Sequence, residues 1–415
     1  MKAVTFTFSI PRYLLGSALG GVSDAVVFGG PSAISLSQLP DPVLPGDRWV
    51  SLEVIAGGIC GTDIGNLVYS ASPILEPFAS FPAVMGHEIL ARVVDVGSAV
   101  SGVSPGQRVA VDPIVSCAVR EYPESEWCPP CAGGYPAACA RSGESGAVHV
   151  GGRPLARGIT IGYHSDLPGG WGERLIAHES QIHAVPESLD DKTASLTEPL
   201  AVATHAVLRS RVEPKERVLV LGSGSIALST IWALRALGHE GDLVAQVKRP
   251  NEVEFARHLG ASAVVTPGVA AREALLGTGA RAYKPPVGPE VYAGGGFSLI
   301  FDCVGNRSSL DQSLRFASPR GRVVMLGCAA VVRRLDLTLV WAHELAVQGS
   351  LGYGRERWDG ESLHTFEVVF RLLAGSGARI ADLVTHTYPL TQYRTALSTA
   401  RHHRKSGAIK VLLTP

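Results

Sequence analysis

Residues 217–227, RVLVLGSGSIA, restrict the fold of this chain more than any other stretch. The run Val218 to Leu221 reads as a short buried strand, and the glycines at 222 and 224 separate it from a helical pattern, ALSTIWALRALG (227–238). A glycine directly after a strand permits a tight turn. A second lets a phosphate group approach the backbone at a helix N-terminus, where N–H groups have no internal partner. Ala227 takes the third small position, where helix and strand must pack closely. A strand DLVAQV (242–247), a helix EVEFARHLG (252–260) and a strand AVVT (263–266) follow, and FSLIFDCVG (297–305) and GRVVMLG (321–327) are two more strands. Such alternation predicts a parallel sheet covered on both faces. Glycine-rich turns are common, but strand, loop, helix and next strand stand here in the order a dinucleotide site requires. The site residues are Gly222, Ser223, Gly224, Ser225, Ile226 and Ala227.

The end of the second strand should carry an acid for the adenosine ribose of NAD. Val247 stands there, followed by Lys248 and Arg249. Missing negative charge and two added cations suit a ribose 2′-phosphate, so NADP is expected ahead of NAD. The plainer reading is that both are solvated loop charges.

The alternation occupies only the middle of the 415 residues. The first 200 are β-rich: RWVSLEVI (48–55) and ILARVVDV (89–96) are strands, and VSPGQRVAVD (103–112) is a turn feeding another. GTGARAYKPPVGPEVYAGGG (277–296) reads as an irregular surface excursion, and the final GAIKVLLTP as an edge strand returning to the first domain. Lysine plus arginine equals aspartate plus glutamate, 37 each, which gives no electrostatic reason to expect nucleic acid or an anionic membrane as partner. The N-terminal apolar run is broken by Pro11, Arg12 and several glycines, so neither a secretory signal nor a membrane span is expected. A cytoplasmic location is the expectation.

Four of the seven cysteines, Cys117, Cys128, Cys131 and Cys139, crowd together as C-x10-C-x2-C-x7-C. In a reducing compartment such crowding points to metal rather than disulfides. Elsewhere, GGICGTDIGN supplies Cys60 and Thr62, FPAVMGHE supplies His87 and Glu88, and LTEPLAVATHAV supplies Glu198. Thiolate, imidazole and carboxylate are all zinc ligands, and three of them leave a position open for water or substrate. No spacing rule connects positions so far apart.

These segments resemble a known family. GICGTD, FPAVMGHE, VSPGQRVAVDP, the cysteine cluster, GGWGERLIAH, TEPLAVATHAV, VLVLGSGSIA, FDCVGN and GAIKVLL are collinear over nearly the whole chain. They resemble the zinc-dependent medium-chain dehydrogenase/reductase family of alcohol, polyol and sugar dehydrogenases. The resemblance implies an α/β chain: a GroES-like, β-rich catalytic domain (1–199, with a structural zinc lobe at about 117–139), a Rossmann domain with a doubly wound parallel sheet (200–345), and a return to the catalytic domain (346–415). Cys60, His87 and Glu198 would hold the catalytic zinc, with Glu88 beside them or exchanging onto the metal. Cys128, Cys131, Cys139 and, despite the inserted AVREYPESEW, Cys117 would hold the structural zinc; a substitute ligand near Ser125 is the other possibility. A homodimer or homotetramer is implied as well.

The activity implied is hydride transfer between a secondary alcohol, polyol- or sugar-like, and NADP(H) or NAD(H), giving a ketone. Thr62 would take the alcohol proton, since a hydroxyl both accepts and donates. Family members commonly carry a histidine three residues beyond that threonine; this chain has Gly65. The relay must therefore end in water, in the cofactor ribose or in another side chain. A zinc enzyme acting on aldehydes or other carbonyls, and a non-catalytic NADP-binding sensor of the same fold, are the rival readings. A zinc module for nucleic acid fits poorly, given the balanced charge and the cysteine spacing. Cys303 and Cys328 read as buried small hydrophobes, His205 as a packed or capping histidine, Trp171 and Tyr69 as core or rim, and Arg401 to Lys405 as a solvated basic turn.

Overall fold

The computed structural model of the chain describes residues 1–19, 23–328, 330–376 and 379–415. The chain divides into two compact units, one of residues 1–198, 352–374 and 379–415, the other of residues 199–351 and 375–378. Among the described residues, no helix is long and apolar enough to cross a membrane.

The first unit is organised by a seven-stranded sheet. Ile182–Ala184, Arg108–Val111, Glu88–Val96, Trp49–Gly58, Lys410–Thr414 and Val384–Pro389 follow one another across it, and Arg174–His178 also pairs with Trp49–Gly58. Val50, Leu52, Val54, Ile89, Ala91, Val109, Val111 and Leu175 fill one core beneath Trp49. Register fixes what comes next. Gly58 lies opposite Glu88 on one side and Leu412 on the other, so Ile59 and Cys60 leave the sheet beside His87 and the last strand. That last strand is interior rather than an edge. Lys410 to Leu413 are all buried, and a strand covered on both faces carries the continuous apolar run expected of the sheet interior. At the N-terminus, Ile10–Leu19 and Asp24–Phe28 are helical; Gly20, Gly21 and Val22 of the same elaboration lie outside the described residues.

The second unit carries a six-stranded parallel sheet in the order Ala263–Val265, Leu243–Gln246, Val218–Leu221, Phe297–Asp302, Ala317–Met325, Ala346–Gly349. Helix Ser225–Ala236 buries Leu228, Ile231, Trp232 and Leu234. Three expectations change here. Ala346–Gly349 is the sixth strand of this sheet, so the chain returns to the first unit at Gly352 rather than at 346. The excursion at 277–296 contains an antiparallel pair, Arg281–Tyr283 with Val291–Ala293, anchored by Tyr292 edge-on against Phe316. Of the two cysteines expected to be buried, Cys328, past the end of strand Ala317–Met325, is exposed and Cys303 is only half-buried, although desolvation pushes its thiol up to about 12.

Candidate active site

Cys60 caps the helix Gly61–Leu67, and the sequence closes that cap on itself. The fully buried Asp63, at the third helical position, accepts the Cys60 N–H at 2.9 Å. The other Asp63 oxygen accepts the Tyr163 hydroxyl at 2.5 Å and lies 3.3 Å from His87 Nδ1. One carboxylate thus caps the thiol-bearing turn and lies against the Nδ1 side of the imidazole. Burial opposes a charge on His87, but Asp63 outweighs it and holds the imidazole well above its ordinary value. Thr62 Oγ1 lies 3.7 Å from Cys60 Sγ.

Glu88 reaches the same place from the neighbouring strand. Cys60, His87 and Glu88 each offer a ligand atom, and these atoms lie within 4.8 Å of one another. A Cβ at Gly58 would collide with the Glu88 carboxylate, so glycine is required opposite it. Lys410 Nζ donates to both Glu88 oxygens at 2.6 and 2.7 Å and contacts the Ile59 carbonyl oxygen at 3.4 Å.

Glu198, in the first turn of helix Thr197–Arg209, stands beside this set and outside its 4.8 Å span. Burial pushes its carboxyl up to about 7, while His87 draws it down and Glu88 adds repulsion. Tyr353 is fully buried, and burial together with the nearby Glu198 charge holds its hydroxyl well above its ordinary value. A thiol, an imidazole and buried carboxylates with a single lysine among them form a donor set that suits zinc.

Sequence reasoning missed three of these groups. Asp63 sits inside GICGTD at the helix-capping spacing, and Lys410 is a lone cation in an apolar strand, so both left a signal. Tyr353 left none, because nothing local distinguishes it from a core aromatic.

The four crowded cysteines come together. Cys117 Sγ lies 3.6 Å from Cys128 and 3.8 Å from Cys139, and Cys128 lies 3.9 Å from Cys139. Sulfurs on a tetrahedral metal at about 2.3 Å stand about 3.8 Å apart, whereas a disulfide needs about 2.05 Å. The inserted segment folds back over the cluster. Trp127 packs on the sulfurs and donates to the Tyr122 carbonyl at 3.0 Å. The fully buried Arg120 donates to the carbonyls of Val115, Ser116, Ser142 and Gly158. Cys131 hydrogen bonding, with help from Arg120, draws the Cys139 thiol down to about 5. Ser125 is exposed and outside the cluster.

In the second unit Gly222 has φ +124°, and a Cβ there would press on Val304, Ala227 and Cys303. Gly224 caps helix Ser225–Ala236 with no side chain and with open space before it, which is room for a pyrophosphate. At the end of Leu243–Gln246 no acid appears. Gln246 exchanges hydrogen bonds with Gln312, Val247 is buried, Lys248 is exposed, and Arg249 pairs with the buried Glu252.

Comparison with known proteins agrees with the two-unit fold. Residues 46–187 match the alcohol dehydrogenase GroES-like domain, and residues 225–367 match the zinc-binding dehydrogenase domain, together more than half of the chain. The (R,R)-butanediol dehydrogenase of Saccharomyces cerevisiae is 28% identical over 91% of this chain and 94% of its own length. The sorbitol dehydrogenase of Halalkalibacterium halodurans is 26% identical over 93% and 97%. The solved structure of the alcohol dehydrogenase RspB of E. coli CFT073, in complex with NADH, superposes with TM-score 0.71 at 24% identity over 92% and 96%. The chain belongs to the zinc-dependent medium-chain dehydrogenase/reductase family.

Proposed function

We propose that the protein oxidises a secondary alcohol of polyol or sugar type to its ketone and passes the hydride to NADP⁺ in preference to NAD⁺. The carrying observation is the convergence of Cys60, His87 and Glu88, with Glu198 in their field and Thr62 beside the thiol. The chemistry a zinc ion would supply there is Lewis acidity, which lowers the pKa of an alcohol hydroxyl. Cys60 and His87 would hold the ion, with Glu198 as third ligand and Glu88 held back by Lys410 until an exchange releases it. Asp63 keeps the imidazole oriented, and Thr62 accepts the alcohol proton. The names of the butanediol and sorbitol dehydrogenases support a diol- or polyol-like substrate. The absence of an acid at Gln246–Val247, with Lys248 exposed, supports the 2′-phosphate.

Three expectations of the reading stay proposals: the ligand set, the structural zinc at Cys117, Cys128, Cys131 and Cys139, and assembly into a homodimer or homotetramer. The decisive experiment measures reduction of NADP⁺ and NAD⁺ with a panel of polyols, sugars and secondary alcohols, for the wild type and Glu198→Ala. Turnover with a polyol-like alcohol, higher catalytic efficiency with NADP⁺, and a variant at least about 100-fold slower with unchanged dinucleotide affinity are expected. An active Glu198→Ala variant would remove Glu198 from the metal. No turnover with any alcohol would leave the aldehyde-acting or sensor reading instead.

A further inference from the structure

The turn after strand Leu243–Gln246 carries two cations, Lys248 and Arg249, and the structure presents them differently. Four consecutive positions decide what a ribose bound there can meet. The Gln246 amide is committed to the protein: its Nε2 donates to Gln312 Oε1 at 3.0 Å, and Gln312 Nε2 donates to Gln246 Oε1 at 2.6 Å. Gln312 belongs to helix Arg307–Phe316, so a closed amide pair ties the strand end to that helix. Val247 is fully buried, and its N–H donates to the Val265 carbonyl at 2.9 Å. Neither residue offers a carboxylate to the ribose hydroxyls.

Arg249 turns back as well. It is the N-cap of helix Pro250–His258, and its guanidinium pairs with Glu252 in the first turn of that helix. The Glu252 side chain is 0% exposed. Apart from this ion pair, neither of its carboxylate oxygens has a hydrogen-bond partner among the described residues. A carboxylate taken out of water keeps its charge only beside a counter-charge. Arg249 therefore cannot swing out to a ligand without stranding that charge, and the pair behaves as one neutral unit.

Lys248 differs. It is exposed, and among the described residues its ammonium has no ion-pair partner. Lys248 and Arg249 add two positive charges and Glu252 removes one, so the turn presents one net positive charge rather than two.

We infer that Glu252 is a coenzyme-selectivity residue: by holding Arg249 it leaves Lys248 as the one cation of this turn that reads a ribose 2′-phosphate. The inference rests on the dinucleotide reading above. Glu252 is a positioning residue that acts through Arg249 and touches no ligand. A phosphate monoester carries about two negative charges near neutrality, and a ribose hydroxyl carries none. A second cation released at the turn would thus strengthen NADP⁺ binding by about 10-fold and leave NAD⁺ binding unchanged.

The test measures dissociation constants by isothermal titration calorimetry on the full-length, zinc-loaded protein. The ligands are NADP⁺ and NAD⁺, then adenosine 2′,5′-bisphosphate and 5′-AMP, two fragments that differ only in the 2′-phosphate. Lys248→Ala should weaken NADP⁺ and the bisphosphate at least about 10-fold, with NAD⁺ and 5′-AMP held within about 2-fold. Glu252→Gln keeps the side-chain shape and drops the charge, so NADP⁺ and the bisphosphate should tighten by about 10-fold with NAD⁺ unchanged. Arg249→Met combined with Glu252→Gln removes the pair as a unit and should bind all four ligands as the wild type does. Mere loosening of the helix would move each phosphorylated ligand and its counterpart alike.

A double variant that loses NADP⁺ affinity about 10-fold would make Arg249 the phosphate ligand and overturn the inference. So would an NADP⁺ to NAD⁺ ratio that Glu252→Gln leaves in place. Lys248→Ala alters only the surface, so unchanged NADP⁺ affinity there overturns the inference even if the buried variants fail to fold. A wild type that favours NAD⁺ overturns the coenzyme preference proposed above; the ratio in Glu252→Gln, moved or unmoved, then supports or overturns this inference by itself. A wild type that binds neither dinucleotide overturns the dehydrogenase reading and this inference with it.

Discussion

Lys410 and Glu88 are each about 1% exposed, and neither could keep its charge there alone. Burial opposes the ammonium, and the Glu88 carboxylate holds the Lys410 pKa above its ordinary value in spite of it. Removing one partner leaves the other charge uncompensated, so Lys410→Met should cost about 3–5 kcal/mol in urea unfolding. Glu88→Gln combined with Lys410→Met should recover most of that loss, because two neutral groups of similar size need no counter-charge. Equal destabilisation of the single and double variants would mean that packing, not charge pairing, sets the cost. At this scale the site was legible where one residue type performs one chemistry: Cys60, His87 and Thr62 stand out in their motifs, and the structure places them together. Glu88 was legible as a neighbour but not as a member of the tight donor set. That follows from the register Gly58↔Glu88, which no local pattern encodes.

Among the elements, the cysteine lobe combines a legible part with one that is not. C-x2-C-x7-C announces a metal knuckle, but ten residues between Cys117 and Cys128 give no reason by themselves to bring those sulfurs within 3.6 Å. Tertiary contacts do it: Arg120 gathers four carbonyls beneath the lobe, and Trp127 and Tyr122 close over it. Cys117→Ser should therefore lower bound zinc from two per chain to one, measured by elemental analysis, and lower the melting temperature by several degrees. Ser125→Ala should change neither, since Ser125 is exposed. Loss of zinc from the Ser125 variant with none lost from the Cys117 variant would reverse the choice of fourth ligand. Lys410–Thr414 was misread as an edge for a related reason. A short apolar strand looks the same in sequence whether one neighbour pairs with it or two.

For the whole molecule, the interruption of a β-rich unit by a parallel-sheet unit was readable from the change of texture near residue 200, where apolar strands alternate with helices. The second boundary was not, because AVQG lacks the buried run that marks the central strands Val218–Leu221 and Phe297–Asp302: three of its four residues are exposed. The exposure that hid this strand in the sequence argues for a partner. Among the described residues, Ala346–Gly349 pairs with Ala317–Met325 on one side only, and Trp341, Leu337, Val347 and Leu351 stand exposed around it. An unprotected edge beside apolar side chains invites aggregation unless a second chain covers it. A second copy of the same chain can do so by edge pairing about a twofold axis, which makes one twelve-stranded sheet from two of six. Val347→Lys with Trp341→Glu should then convert a dimer, or a tetramer built of such dimers, to smaller species in light scattering coupled to gel filtration. The isolated fold should survive, since both side chains already face water. A wild type that runs as a monomer at micromolar concentration, or a charged variant with unchanged mass, would mean that this edge is not the interface.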